Sequence, residues 1–134
     1  MWNRSLLLIL LLSGPVSAAE VYTITDGNSL AEGCHQALHA TEPPAPGAFA
    51  CLAYLRGILD TMRHANALAR LRLAPASGGR RGADLYCVPL DLRYGAAARI
   101  VRAHARAHRE LVRESAERLA LSALQAAFPC PRER

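Results

Sequence analysis

Apolar residues recur at helical spacing in four stretches of this chain, separated by segments rich in proline, glycine and charge. Ser29 to Glu32, SLAE, reads as a capping box. It predicts a first helix over about Ser29–Ala40, with Leu30, Cys34, Ala37 and Leu38 on one face. Val21–Gly27 before it reads as an extended lead-in. TEPPAPG, Thr41–Gly47, cannot continue a helix and predicts a rigid connector. A second helix follows over about Ala48–Leu71. Cys51, Leu55, Ile58, Met62 and Ala65 form its apolar stripe, with Leu52 and Leu59 beside it. Ala74–Tyr86 carries Gly78, Gly79 and Gly82 and predicts the longest irregular segment. Asp91 is placed to cap a third helix over about Leu92–Ala107, whose inner face holds Ala97, Ile100, Val101 and His104. A fourth, about Arg109–Phe128, presents Val112, Ala116, Leu119, Ala123, Leu124 and Ala127. No strong breaker separates the last two, so one long helix is the alternative; a compact core requires a bend near His108. Pro129 and Pro131 end the pattern. The class is all-α, a small bundle of about four helices.

Within the second helix, Tyr54, Gly57 and Asp60 lie three residues apart, on a face beside the apolar stripe. Gly57 costs roughly 1 kcal/mol relative to alanine in a helix interior. The expected return is a close helix–helix approach there, with Asp60 reaching a backbone donor or an arginine across it.

The first residues bear on compartment. Arg4 precedes LLLILLL, Leu6–Leu12, an apolar run too short to span a bilayer. Ser13, Gly14 and Pro15 break it, and small residues at Val16–Ala19 offer cleavage sites. Residues 1–19 are expected to be a secretory signal peptide and 20–134 one exported domain, placed in the periplasm with no membrane attachment after cleavage. Cys34, Cys51, Cys87 and Cys130 all lie in the exported part, and an even number of cysteines in an oxidising compartment predicts two disulfides. No CxxC pair is present, and no base stands near Cys51 in sequence to make it a nucleophile.

Composition then narrows the function. Of 134 residues, 51% are hydrophobic and 20% charged, as in a globular chain. Aromatics are 5%, and every basic residue is arginine. The net charge of +5 loses one unit with Arg4 and still favours an acidic partner. Export and scarce aromatics argue against nucleic acid. His35/His39 and His104/His108 are i, i+4 pairs, but without an HExxH context or a placed third ligand they read as surface histidines, and neither metal nor cofactor is expected. No GxSxG, SxxK or phosphate loop appears, and Ser115 and Ser122 have no visible base, so the chain does not read as an enzyme. Two features read as contact surfaces. The Ala74–Tyr86 loop, with Gly78, Gly79, Arg80, Arg81 and Asp84, is a solvated connector or a protruding binding element. The arginines at 99, 102, 106, 109 and 113 form a face paired with Glu110, Glu114 and Glu117 or a basic docking surface, with Arg102 and Arg106 at its centre.

C-x-x-Y-x-x-G-x-x-D from Cys51 to Asp60, Cys87-Val88-Pro89 and Ala127-Phe128-Pro129-Cys130 occur in this order, after an opening of Asp26-Gly27-Asn28-Ser29-Leu30 and Cys34. Together, over roughly Thr25–Cys130, they resemble the Rap/Tai family, periplasmic immunity proteins against type VI secreted peptidoglycan amidases. Where members often carry Tyr-Leu and His-Pro-Glu, this chain has His104-Ala105 and His108-Arg109-Glu110. The resemblance implies structural roles for Tyr54, Gly57, Asp60, Pro89, Phe128 and Pro129. It implies a bundle that binds an amidase and blocks it sterically; of the two surfaces read from the residues, the loop is the first candidate contact and the arginine face the second. It also admits a homodimer. By analogy with acid-stress chaperones such as HdeA, which share the general plan, it implies Cys51–Cys87 and Cys34–Cys130 pairs, although four cysteines permit three pairings. An HdeA-like stress chaperone, or a secreted helical binding protein of another role, is the alternative function.

Overall fold

The computed structural model describes residues 21–39, 41–73 and 84–131. The expected signal peptide and the centre of the long loop lie outside them. Four α-helices and one short 3-10 turn form the described residues: α1 (Gly27–Leu38), α2 (Pro46–Leu73), α3 (Tyr94–Ala107), the turn Leu111–Arg113 and α4 (Ala116–Ala127). The all-α bundle expected from periodicity is what forms.

The helix ends differ from the sequence expectation for local reasons. Asp26, not Ser29, caps α1: its side chain accepts from the Ser29 backbone N–H at 2.8 Å, while Ser29 Oγ accepts from the Asp26 N–H at 3.0 Å. The reciprocal box is real but begins three residues earlier than SLAE suggests. These hydrogen bonds to Ser29 hold the Asp26 carboxyl below its usual range. Pro46 opens α2, where its fixed φ suits the first helical position and its missing N–H costs nothing. Asp91 does not cap α3. It sits in a turn closed by the Leu92 N–H donating to Pro89 O, and Arg93 precedes the helix without a side-chain cap. The final pattern is broken, with the bend where compactness requires it. His108 caps the end of α3, and Ser115, accepting from the Arg118 N–H, caps α4, whose first residue Ala116 lies seven residues after the expected Arg109.

α1 is the hub and touches every other helix. Leu30 and Cys34 of α1, Cys51, Leu55 and Leu59 of α2, Val101 of α3 and Leu119 and Leu124 of α4 meet in one core. Ala97, Ala98, Ala105, Ala116, Ala120 and Ala123 line it as well, so α3 and α4 approach closely with little side-chain bulk between them. No described polar or charged residue is buried. Close approach is sharpest at two glycine positions. A Cβ on Gly27 would stand 2.5 Å from Leu111 O, and the Gly27 N–H donates to Glu114 O at 2.8 Å, docking α1 on the α3–α4 bend. A Cβ on Gly33 would stand 2.8 Å from Gly47 O, where α1 and α2 cross.

That crossing is covalently closed. The disulfides are Cys34–Cys51 and Cys87–Cys130, not the Cys51–Cys87 and Cys34–Cys130 pairs that the family analogy implied. The glycine contact brings the Cα atoms of Cys34 and Cys51 to 5.1 Å, within bonding geometry. Cys87 lies on the segment after the long loop and meets Cys130 beyond the end of α4, leaving Cys51 no route to it.

Gly57 also departs from expectation. A Cβ there would meet nothing within 4 Å, so no helix packs on it. Asp60 does find arginines, but on its own helix: Arg63 at 3.0 Å and Arg56 at 3.8 Å. The helix that was expected at this face is instead α1, packed on the opposite stripe of Cys51, Leu55 and Leu59.

Two outcomes test this packing. Gly57→Ala is expected to raise stability by about 1 kcal/mol, measured by denaturant midpoint, because the new methyl has room and the helix gains propensity. Opening the loop closed by Cys87–Cys130, with a sequence separation of 43, is expected to cost roughly 4 kcal/mol, and opening Cys34–Cys51, separation 17, roughly 3 kcal/mol plus any repacking of a buried site. Non-reducing peptide mapping reads the pairing itself.

Candidate functional site

α2 has 28 residues, about 42 Å at 1.5 Å per residue, against 12 to 14 in the other helices. Among its described side chains the last buried one is Met62. The distal part therefore runs past the shared core and is covered by the segment that returns from the long loop, residues 84–90. Three polar side chains at helical spacing, Arg63, Asn66 and Arg70, hold that segment along one face of α2. Arg63 Nη2 donates to Leu90 O at 2.7 Å, with its other arm held by Asp60. Asn66 donates to Tyr86 O at 2.6 Å and accepts from the Tyr86 N–H at 3.0 Å, replacing both bonds a sheet partner would make. Arg70 meets Asp84 through two 2.7 Å bonds, the planar fork matched to a carboxylate. That pairing draws the Asp84 carboxyl below its usual range and raises the Arg70 guanidinium. Cys87–Cys130 closes the far side.

The result is a clamp at the base of the long loop. Arg70 and Asp84 face one another where the chain leaves and re-enters the described residues. A groove of ≈ 390 Å³ runs between Arg63, Asn66, Arg70 and the Tyr86–Leu90 stretch. Leu71 and Leu90 are 72% and 79% exposed, and Leu68 and Leu85 are also exposed. Apolar side chains thus surround a charged, hydrogen-bonded base, the composition of a recognition surface more than of a reaction centre.

The expected contact residues divide. Gly78, Gly79, Arg80 and Arg81 lie outside the described residues. Asp84 is at the clamp. Arg102 and Arg106 are on α3, and no ion pair links them to Asp84. Among the described residues, none of Arg99, Arg102, Arg106, Arg109 or Arg113 makes an ion pair. Two of their three expected partners are otherwise engaged, Glu110 with His108 at 3.3 Å and Glu114 with Arg118 at 3.5 Å, and Glu117 makes no ion pair among the described residues. Arg102 Nε is buried without a hydrogen-bond partner. Arg63, Asn66 and Arg70 were not singled out by sequence. Their i, i+3, i+7 polar row was the available signal, hidden by the absence of any pattern in residues 84–90 that would show what it grips.

Reaction chemistry is thin. His104 Nε2 is 2.9 Å from Ser122 Oγ, a potential base and nucleophile. Burial, then neighbouring His108, lowers the His104 value, with Glu110 opposing. No carboxylate hydrogen-bonds the His104 ring to orient it, since Glu110 engages His108 instead. No three His, Cys, Asp or Glu side chains group as metal ligands among the described residues. No described helix is long and apolar enough to cross a membrane.

The family model described as Rap1a immunity proteins matches residues 26–130, from the α1 cap to the last disulfide cysteine. No curated protein and no solved structure matches the chain.

Asn66→Ala is expected to release residues 84–90 without unfolding the core. The Tyr86 amide should exchange faster, and global stability should fall by about 2 kcal/mol, because a part-buried donor and acceptor lose their partner together. Hydrogen exchange with a denaturant titration reads both.

Proposed function

The chain belongs to the family of Rap1a immunity proteins, and on that premise we propose that it is a periplasmic immunity protein that binds a type VI secreted peptidoglycan amidase and inhibits it by occupying its cleft. Residues 1–19 direct export and are removed, and the rest acts as one domain. Inhibition is by contact: a stiff body presents a fixed projection to the enzyme, and no reaction is carried out on it.

The observation that carries this reading is the clamp. Residues 74–83 connect two ends held by Arg70–Asp84, Asn66–Tyr86 and Cys87–Cys130. Holding a loop's ends reduces the conformational freedom it must lose when it enters a cleft, and that reduction appears as affinity. Gly78, Gly79, Arg80 and Arg81 form the inserted tip. The unpaired arginines of α3, with Arg102 and Arg106 central, steer an acidic surface of the enzyme toward it. A pair of such chains forming a homodimer is compatible with this use of one face.

The two contacts predict different kinetic signatures against an amidase encoded beside this protein. Replacing Gly78–Arg81 by four alanines should weaken binding by about 30-fold or more, mostly through faster dissociation, as expected when a central anchor is lost. Arg102→Glu with Arg106→Glu should slow association by about tenfold and reduce its salt dependence, leaving dissociation nearly unchanged. Surface plasmon resonance separates the two, and survival of cells producing the amidase in the periplasm reports protection. Failure of the unaltered protein to bind or protect would overturn the proposal.

A further inference from the structure

The two histidine pairs look alike in sequence and differ in the structure. At the end of α1, the His35 and His39 rings lie 4.1 Å apart between centroids. His39 Nδ1 is 2.8 Å from the His35 carbonyl oxygen. A carbonyl only accepts, so Nδ1 carries the proton and Nε2 carries the lone pair. This is the backbone contact that fixes a metal-ligating histidine in its binding tautomer. His35 is half-buried, and its Nδ1 is turned into the protein with no partner. Its Nε2 is therefore the nitrogen left toward the outside. Both rings thus leave the same atom, Nε2, uncommitted at the C-terminal end of α1.

The second pair, on α3, has its rings 4.2 Å apart but its nitrogens committed elsewhere. His104 Nε2 meets Ser122 Oγ at 2.9 Å, and His108 Nδ1 meets Glu110 at 3.3 Å. These contacts use opposite ring nitrogens and pull the two rings toward different partners.

We propose that His35 and His39 form a two-imidazole site for a divalent transition-metal cation, with Nε2 of each as ligand and water or a partner's side chain in the remaining positions. His39 is the C-cap of α1, one residue past the helix, and its ring lies beside that of His35 with centroids 4.1 Å apart, so the two imidazoles are adjacent as a two-histidine site requires. The C-terminal end of α1 carries the negative end of the helix dipole, which favours a cation. Cys34, one residue before His35, is oxidised to Cys51 and offers no competing thiolate. Imidazole ligands suit copper, nickel and zinc, and the divalent affinity series makes Cu²⁺ the most sensitive probe.

The test uses tag-free, disulfide-bonded protein titrated with Cu²⁺ and Zn²⁺ by calorimetry, with electron paramagnetic resonance of the Cu²⁺ complex. One equivalent of Cu²⁺ should bind, Zn²⁺ more weakly, and the spectrum should show two imidazole nitrogens. His39→Gln keeps an exposed polar side chain at the helix end and should weaken Cu²⁺ binding by about tenfold or more, with unchanged circular dichroism. His104→Gln with His108→Gln should change it less than about twofold. The resonance spectrum is read on the unaltered protein, so a variant that fails to fold does not obscure the result. No stoichiometric binding, a spectrum without two imidazoles, or equal losses from both pairs would overturn the assignment.

Discussion

The Cys87–Cys130 bond fixes a part of the molecule that apolar packing does not. Met62 is the last fully buried residue of α2 among those whose side chains are described, and the helix itself continues to Leu73. What covers this overhang is the 84–90 segment, irregular chain with no regular ladder of its own. Such chain is held either by burial or by specific bonds. Val88 and Tyr86 supply partial burial, and the bond from Cys87 to the end of α4 supplies the rest. Without it, the segment would be tied to the body only through side-chain hydrogen bonds and the partial burial of Tyr86 and Val88.

The same economy marks the core. Seven alanines line a centre with only a few large side chains, so each helix pair gains closeness more than volume. A domain of this size buries a smaller share of its surface than a larger one and has less apolar stabilisation to draw on. The Cys34–Cys51 bond sits where α1 and α2 cross on Gly33 and Gly47, locking the tightest crossing of the bundle. The two disulfides therefore act at different levels. One reinforces the core, and the other attaches a surface element to it.

What sequence made legible was periodic. The four helices and the inward residues Leu30, Leu55, Val101, Leu119 and Leu124 follow from apolar spacing, because burial in a helix imposes a 3.6-residue rhythm, whereas the break near His108 followed only from the need for a compact core. Features set by pairs distant in the chain were not legible. Cysteine pairing depends on which loops close, and spacing alone does not choose among three possibilities. Gly57 read as a packing glycine because the motif gives no sign of which glycines meet another backbone; Gly27 and Gly33 do, and Gly57 does not. The cap of α1 was misplaced because Asp26 and Ser29 both qualify as caps and only the reciprocal bond tells them apart. Asn66 and Arg70 went unremarked because their partners are backbone atoms and a carboxylate across the loop.

The anchors of the clamp are unequal, and their ranking follows from exposure. Arg70–Asp84 has forked, bidentate geometry but lies open to water, where screening and side-chain entropy leave an ion pair contributing little to stability. Asn66 satisfies two backbone groups in a part-buried setting and counts for more. The disulfide outweighs both, since it restricts the unfolded chain and does not weaken with salt. The bidentate pair therefore contributes direction more than stability: it sets where residue 84 points as the chain leaves for the loop. The segment that covers the distal part of α2 thus has both properties, strength at Cys87 and orientation at Asp84. The chain places them three residues apart.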